Sequence, residues 1–468
     1  MVFSSTIFLF AFLPVTLIGY YLIRKELHNT FLLIMSLAFY AVGEPKFVFI
    51  MVASILVNYC MGLLFYCIQN SSLILKRLCL ILALVSNLGL LFYNKYFDFT
   101  VTNINMLFGT DIPLRNIVLP IGISFFTFQG MSYALDVYMG KTAVQKNPLH
   151  VALYIALFPQ LIAGPIVRYS DINEQIISRR ETLDDFAFGV QRFSVGLAKK
   201  MVLSNSFAIL ADRTFGSAPE ALGAGFAWLG ALAYTMQIYF DFSGYSDMAI
   251  GLGKMFGFHF LENFNYPYIA ISVQDFWRRW HISLSTWFRD YVYIPLGGNR
   301  TGNVYLHLFI VFLLTGLWHG ASWNFVLWGL WHGSFLIIER LLRGRKIKIA
   351  VPNIFKWMYT MFVVVIGWVL FRAADLISAL NYMRCMFGLS GAGYVNLWYL
   401  IQDYAVMFLV GAICILPITS GYKRWRDTYV VGQAAGKILE PVVCAILLIL
   451  GVAYTVSSAY NPFIYFNF

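Results

Sequence analysis

Residues 47–68 read FVFIMVASILVNYCMGLLFYCI, a stretch of 22 positions without a charged side chain. As a helix it would be about 33 Å long, which matches a bilayer hydrocarbon thickness of about 30 Å. Further apolar stretches, bounded by charged or turn-forming residues, are found at 2–23, 30–43, 75–94, 303–320, 323–342, 354–371, 399–418 and 438–458. The sequence therefore predicts helices that cross a membrane repeatedly along the whole chain.

The composition excludes a soluble protein. Hydrophobic residues make up 60% of the 468 positions and charged residues 12%, whereas soluble domains carry about 25% charge. No Pro/Ser-rich or charge-rich linker divides the chain, so we predict one membrane-embedded domain over residues 1–468. The predicted fold is all-α: a polytopic integral membrane protein with about 11 spanning helices plus re-entrant and interfacial helices.

The net charge of +11 is distributed in clusters between the apolar stretches. This arrangement favours the positive-inside rule over a nucleic-acid partner, and it makes the lipid bilayer the expected surrounding. Both termini are then predicted to be extracytoplasmic. The clusters expected to face the cytoplasm are Arg24 and Lys25; Lys76 and Arg77; Arg340, Arg343, Arg345, Lys346 and Lys348; and Lys423, Arg424, Arg426 and Lys437.

The middle of the chain is less regular. Residues 116–138 and 149–167 are apolar but interrupted by Pro and Gly, which is tolerated where backbone is buried in protein or lines a wet cavity. We interpret this region as partly re-entrant, with ordinary kinked helices as the alternative. Residues 184–215 show apolar side chains at three- and four-residue spacing and predict an amphipathic helix.

The segment 274–293 combines aromatic and charged residues. At helical spacing Trp277, His281, Leu284 and Phe288 would share one buried face, while Arg278 or Arg289 could reach an anionic group. Trp and Tyr side chains favour the level of the lipid headgroups. The sequence thus places an imidazole on the inner side of an interfacial helix.

A second histidine lies between two apolar stretches, in the sequence LTGLWHGASWN of residues 314–324. Small residues follow His319 and leave room for a substrate, and an imidazole is suited to accept a proton from a hydroxyl group. A packed histidine that is hydrogen-bonded to a neighbour is the alternative. For the remaining histidines a structural role is favoured; these are His28, His150, His259, His307 and His332.

Asp241 and Asp247 lie next to an apolar stretch, where carboxylates need partners. Arg278 and Arg279 are plausible partners, and we interpret the two carboxylates as members of structural ion pairs rather than as a proton relay.

Several blocks of the sequence match the membrane-bound O-acyltransferase family. The chain resembles, nearly end to end, the bacterial branch that contains alginate and peptidoglycan O-acetyltransferase membrane components. The matching blocks are FPQLIAGPIVR at 158–168, FSGYSDMAIGLGKMFG at 242–257, FWRRWHISLS at 276–285, YIPLGGNR at 293–300, LTGLWHG at 314–320 and the ending NPFIYFNF at 461–468.

The resemblance implies a helical fold around a tunnel in a bacterial cytoplasmic membrane. A thioester donor, expected to be acetyl-CoA, would enter from the cytoplasm, and an extracytoplasmic acceptor or a partner acetyltransferase protein would receive the acetyl group. His319 corresponds to the near-invariant histidine and His281 to the second characteristic position. We predict His319 as base or acyl relay and His281 as orienter or oxyanion donor.

The remaining predicted site residues support these two. Trp318, Ser322 and Asn324 would give local support, and Arg279 or Arg289 would help to hold the phosphates of the donor. The scheme requires no metal and no bound cofactor.

Three other functions stay open at this point. Some relatives transfer D-alanine from a carrier protein to teichoic acids, which changes the donor but not the reaction type. A secondary transporter would lose substrate flux when Asp241 is altered, and a non-catalytic scaffold of an export complex would tolerate the loss of His319.

Overall fold

The computed structural model describes residues 1–344, 351–390, 393, 397–458 and 460–464, and every regular element among them is helical. This confirms the all-α class. Of the predicted basic cluster, Arg345, Lys346 and Lys348 lie outside the described residues, as do residues 465–468 of the C-terminal block.

The helices follow one another with short connections. They are α1 (Leu13–Leu22), α2 (His28–Gly43), α3 (Val48–Cys67), α4 (Leu73–Leu91), α5 (Phe97–Phe108), α6 (Ile123–Tyr138), α7 (Pro148–Ala156), α8 (Phe158–Leu161), α9 (Tyr169–Ile177), α10 (Leu183–Ala198), α11 (Asn205–Phe215), α12 (Ala224–Met255), α13 (Val273–Arg279), α14 (Ile282–Phe288), α15 (Val304–His319), α16 (Trp323–Gly344), α17 (Asn353–Arg372), α18 (Leu376–Met386), α19 (Leu397–Cys414), α20 (Ile418–Thr428) and α21 (Val430–Ser457). Among the described residues, π-helical turns adjoin these helices at Phe8–Phe12, Phe92–Tyr96, Lys199–Ser204 and Arg289–Tyr293.

Within the described part of the chain, six helical stretches are long and apolar enough to cross a membrane: Lys25–Gly43, Val48–Cys67, Leu73–Phe108, Trp323–Gly344, Asn353–Arg372 and Val430–Ser457. Trp398–Cys414 and Ile418–Thr428, bent by 51°, would add a seventh if they form one span. Phe8–Leu22 and Val304–His319 are apolar but shorter. The protein is thus a multi-pass membrane protein, while the predicted count of about 11 spans is not confirmed.

The chain divides into two compact units. The first contains Met1–Phe193 and Ser246–Leu261, and the second contains Ser194–Tyr245 and Glu262–Phe468. The division falls within α12, and both predicted catalytic histidines belong to the second unit. That the whole chain acts as one domain stays a prediction.

In the first unit, polar side chains inside apolar helices satisfy one another. Asn58 of α3 and Asn87 of α4 exchange two amide hydrogen bonds of 3.1 and 2.9 Å. Gly130 of α6 faces this pair, and a Cβ atom there would lie 2.4 Å from Asn58 Nδ2. Since lipid offers no hydrogen-bond partner, the reciprocal pair explains how an asparagine is accommodated within the apolar stretch 47–68.

In the second unit, α15 and α16 pack backbone against backbone. A Cβ atom on Gly316 would lie 2.4 Å from Phe325 O, and one on Gly329 would lie 2.3 Å from Phe312 O. Small residues let membrane helices approach this closely, and the contact area gained stabilises the pair. The packing also fixes the end of α15, where His319 lies.

Helix α12, which has 32 residues, was not predicted from the sequence. Its charged side chains lower the hydropathy, yet they are neutralised within the fold. In the first unit Asp247 accepts from Arg192 at 2.8 Å, and Lys254 pairs with Asp185 at 2.6 Å. Paired charges are far less costly in an apolar environment than single ones, so the helix tolerates them.

Asp241 of α12 lies in the second unit and pairs with Lys200 at 2.6 Å. The predicted pairing of Asp241 or Asp247 with Arg278 or Arg279 was therefore wrong. Arg279 instead bonds Asp275 one turn away, at 2.9 Å. Lys200 lies in another helical segment, 41 positions before Asp241, so no local sequence pattern joins the two residues.

The segment 274–293 forms two short helices rather than one. α13 ends at Arg279, α14 begins at Ile282, and His281 lies between them with a left-handed backbone at φ 44° and ψ 55°. The prediction that His281 shares a helix face with Trp277, Leu284 and Phe288 was therefore wrong. The carboxylate of Glu339 caps the start of α13. It accepts hydrogen bonds from the backbone amides Val273 N at 2.7 Å and Gln274 N at 3.2 Å.

Candidate active site

His319 is the last residue of α15 and is 3% exposed. The aromatic side chains around it are Trp318, Trp328 and Phe371, with ring centroids 4.9, 4.8 and 5.0 Å away. The next residue must be glycine, because a Cβ atom on Gly320 would lie 2.3 Å from the ring of Phe325. The small residue after His319 suggested room for a substrate. In the structure Gly320 instead makes room for the ring of Phe325.

His281 is 1% exposed, and its Nδ1 atom lies 3.1 Å from Asn263 Oδ1. The ring of Phe242 meets it edge to face at 4.6 Å. Its Nε2 atom is buried and has no hydrogen-bond partner in the part of the chain that the structure describes. His281 lies outside the membrane-spanning helices, and burial lowers the pKa of its imidazole to about 3, which makes the ring neutral at physiological pH.

Trp318 connects the two histidines. Its ring centroid lies 6.1 Å from that of His281 and 4.9 Å from that of His319. Two imidazoles that are 38 positions apart in sequence are therefore gathered around one indole. Such a pair, walled by aromatic rings, can offer proton acceptors at a site from which bulk water is largely excluded.

The other predicted support residues differ in what they touch. Asn324 donates to the carbonyl oxygens of Leu370 at 3.3 Å and Ala373 at 2.9 Å, and so fastens the end of α17. Ser322 is half-buried in the connection between α15 and α16, three residues after His319 in sequence. Their support of the reaction stays a prediction.

The two arginines expected to hold the donor are unequally available. Arg279 is 28% exposed and ion-paired with Asp275, whereas Arg289 is 57% exposed and pairs with its neighbour Asp290 at 2.7 Å. An exposed pair between adjacent residues is weak and can exchange for a stronger anionic partner. The donor-binding role, which stays a prediction, is thus better matched by Arg289.

His307 has surroundings consistent with a packing role, whereas His332 is enclosed by aromatic rings and neither of its ring nitrogens has a hydrogen-bond partner among the described residues. His332 lies between the rings of Trp277 and Trp328 at 5.1 and 5.2 Å. Glycine is required opposite it, because a Cβ atom on Gly367 would lie 2.5 Å from His332 Nε2. His307 is buried, and its Nδ1 atom lies 3.0 Å from the carbonyl oxygen of Gly298.

Sequence reasoning missed Asn263, Trp328 and Phe371. Asn263 precedes His281 by 18 positions in an irregular segment, and Phe371 follows His319 by 52 positions on another helix. No periodicity connects them to the histidines, so only the fold reveals their proximity.

The tunnel implied by the family resemblance stays a prediction. The second unit contains a cavity of about 500 Å³ that does not include either catalytic candidate in its wall. Its lining residues are Met201, Asn205, Ser206, Ile209, Asp212, Tyr454, Ser457, Ser458 and Tyr460.

Comparison with known proteins agrees with the resemblance found in the sequence blocks. A probable alginate O-acetylase AlgI of Pseudomonas putida is 41% identical over 100% of both chains. The peptidoglycan O-acetyltransferase of Helicobacter pylori is 36% identical over 100% of this chain and 98% of its own. The teichoic acid D-alanyltransferase of Bacillus subtilis is 32% identical over 46% of this chain and 57% of its own.

The family model for membrane-bound O-acyltransferases matches residues 142–379, which contain both candidate histidines, Asn263 and Trp318. The chain therefore belongs to the membrane-bound O-acyltransferase family, and it is an acyltransferase.

Proposed function

We propose that this acyltransferase takes an acetyl group from acetyl-CoA on the cytoplasmic side and delivers it for O-acetylation of an extracytoplasmic polysaccharide or cell-wall polymer, through a partner acetyltransferase protein. The observation that carries the proposal is the pair of buried imidazoles around Trp318. The named activities of full-length relatives support acetyl transfer over D-alanyl transfer, since the D-alanyltransferase matches less than half of this chain.

In the proposed reaction His319 accepts the proton of the attacking hydroxyl group. The hydroxyl oxygen forms a bond to the thioester carbon, the carbon–sulfur bond breaks, and the thiolate sulfur takes up the proton. The aromatic walls formed by Trp318, Trp328 and Phe371 keep water from competing with the hydroxyl group. No step requires a metal ion.

The proposal is tested with purified protein in lipid vesicles. Acetyl-CoA labelled in the acetyl group is supplied on one side, and label transferred to a hydroxylated acceptor or partner protein on the other side is measured. A parallel assay supplies a D-alanyl carrier protein. Transfer from acetyl-CoA alone is the expected result, whereas transfer only from the carrier favours the D-alanyl alternative, and transport of unreacted substrate favours a transporter.

We expect replacement of Arg289 by glutamine to raise the KM for acetyl-CoA by about 10–100-fold, because a charge-assisted hydrogen bond contributes about 1.5–3 kcal/mol. Arg279→Gln should have a smaller effect, since Arg279 is less exposed and its guanidinium also donates to the carbonyl oxygen of Asn265. Initial rates at varied acetyl-CoA measure both. If both variants are folded and keep the wild-type KM, the arginines do not bind the donor.

The topology gives a separate prediction. Replacing Arg345 by cysteine, in a variant whose six native cysteines are changed to serine, should give a thiol that an impermeant reagent modifies only after the cells are opened. The same measurement at Lys46→Cys, in the exposed connection between stretches 30–43 and 47–68 that this topology places on the side of the N-terminus, should show modification in intact cells. The opposite pattern contradicts extracytoplasmic termini.

A further inference from the structure

Three hydrogen-bond contacts converge on the side-chain oxygen of Asn263. Ser283 N lies 3.2 Å, Ser283 Oγ 2.9 Å and His281 Nδ1 3.1 Å from Asn263 Oδ1. The orientation of an asparagine amide must be assigned from its partners, and here one partner decides it. A backbone N–H group can only donate, so the atom facing Ser283 N must be the carbonyl oxygen.

The same oxygen fixes the tautomer of His281. Ser283 Oγ lies 3.4 Å from Nδ1 but 2.9 Å from Asn263 Oδ1, so its hydroxyl proton goes to the asparagine oxygen. Because Asn263 Oδ1 only accepts, Nδ1 carries the proton that faces it, and a neutral imidazole then has a bare lone pair at Nε2. An oxyanion requires an N–H donor, so this tautomer argues against an oxyanion-donor role. His281 also has a left-handed backbone, which costs a residue with a side chain about 1–2 kcal/mol. The fold therefore holds this residue in a strained conformation at the position where its tautomer is fixed.

A buried acceptor without a partner needs a donor from elsewhere, because leaving it unpaired is unfavourable. In the proposed reaction the single proton of the attacking hydroxyl group goes to His319, so another donor must face Nε2. Thioesters of coenzyme A and of acyl carrier proteins share a pantetheine arm, in which an amide N–H is separated from the sulfur by two methylene groups. This is a donor close to the reacting bond that both kinds of carrier possess.

We propose that Asn263 is a positioning residue that holds His281 in the Nδ1–H tautomer, so that Nε2 accepts a hydrogen bond from the pantetheine amide nearest the thioester sulfur. The inference rests on the proposed acyl transfer and adds to it the recognition of the donor arm. The bond aligns the thioester with the attacking hydroxyl group, and Asn263 acts only through His281.

Two small donors test the proposal. One is the acetyl thioester of N-acetylcysteamine, which keeps the amide, and the other is its ketone analogue, in which a methylene group replaces the amide N–H. The wild-type protein should prefer the amide donor about tenfold in kcat/KM, as expected for one hydrogen bond. Asn263→Ala should lower this ratio to about one, whereas Asn263→Asp, which keeps an oxygen facing Nδ1, should retain the preference.

A purely structural role of Asn263 would reduce the amount of folded protein and leave the ratio unchanged. An unchanged ratio in active Asn263→Ala, or no preference in the wild type, overturns the inference. If a folded wild-type protein uses neither acetyl-CoA nor these thioesters, the proposed function fails and the inference fails with it.

The tautomer of His281 can be measured directly in the folded wild-type protein, without substrate. Nitrogen-15 spectra of histidine-labelled wild-type protein in lipid, with His281→Gln used to assign the signal, should show a protonated Nδ1 and a bare Nε2. A protonated Nε2 at neutral pH overturns the proposal even if the enzyme is fully active, which separates this failure from a failure of the proposed function.

Discussion

Replacement of His319 by glutamine or alanine is expected to reduce acetyl transfer by about 10²–10⁴-fold, the range that general-base catalysis contributes. Glutamine fills a volume similar to that of imidazole among Trp318, Trp328 and Phe371 but cannot take the proton, so the fold should persist while the reaction stops. Initial rates of transfer from labelled acetyl-CoA, normalised to monodisperse purified protein, measure the loss.

The matched control is His259→Ala, because the side chain of His259 is 52% exposed and belongs to the first unit. We expect it to keep near-wild-type activity. His307 is less suitable as a control, since it is buried and its Nδ1 atom lies 3.0 Å from the carbonyl oxygen of Gly298. A folded His319→Gln variant that retains more than a few per cent of the activity, or an inactive but folded His259→Ala variant, would contradict the assignment of His319.

The effect of replacing His319 by glutamine also distinguishes the proposed enzyme from a non-catalytic scaffold. A protein that only holds an export complex together would be insensitive to glutamine at a position where the neighbours are packed rings. Loss of acetyl transfer with retained assembly in the membrane is therefore the expected combination. Retained acetylation of the polymer in cells that carry the variant would favour the scaffold.

The fold class and the approximate bounds of the apolar helices could be predicted from sequence because lipid imposes a length and an apolar composition on each span. The stretch 47–68 corresponds to Val48–Cys67, and 354–371 corresponds to Asn353–Arg372. α12 was missed because its carboxylates appear unfavourable until Lys200 and Arg192 are brought to them.

The two histidines could be singled out by their surroundings in sequence and by the family resemblance, but their environment could not. In the sequence, His281 fits the spacing of a continuous helix. In the structure the helix is interrupted at that residue by a left-handed backbone, which no apolar periodicity reveals. Asn263 and Phe371 become neighbours of the histidines only through long-range packing. Sequence patterns report local preference, and the site is made by contacts between distant segments.

The second large effect is expected at the ion pair of Lys200 and Asp241, whose side chains are 2% and 1% exposed. Asp241 Oδ2 also accepts from Ile464 N at 3.0 Å, and Lys200 donates to the carbonyl oxygen of Pro462. The pair thus holds the C-terminal segment in the second unit. Removing one partner leaves a buried charge without its counterion, which costs about 3–5 kcal/mol.

Lys200→Met and Asp241→Asn should therefore each lower the thermal unfolding midpoint markedly, whereas the double variant should recover much of the loss. Asparagine keeps an acceptor for Ile464 N, and the double variant contains neither charge. Unfolding of purified protein in detergent, followed by tryptophan fluorescence, measures the coupling between the two changes. Lys254→Met is the matched control, since both side chains of its pair with Asp185 are about one-fifth exposed, so water can reach the remaining carboxylate and the loss of stability should be smaller.

Activity of the double variant decides between the structural and the proton-relay interpretations of Asp241. A structural pair predicts that the recovered fold transfers acetyl groups at a rate within a few-fold of wild type, because the reacting groups around Trp318 are unchanged. A relay or a transporter requires the carboxylate itself, so the double variant would be stable yet inactive, and uptake of a labelled substrate would fall with it. A stable, inactive double variant would thus contradict the structural role, whereas a stable, active one excludes Asp241 from proton movement.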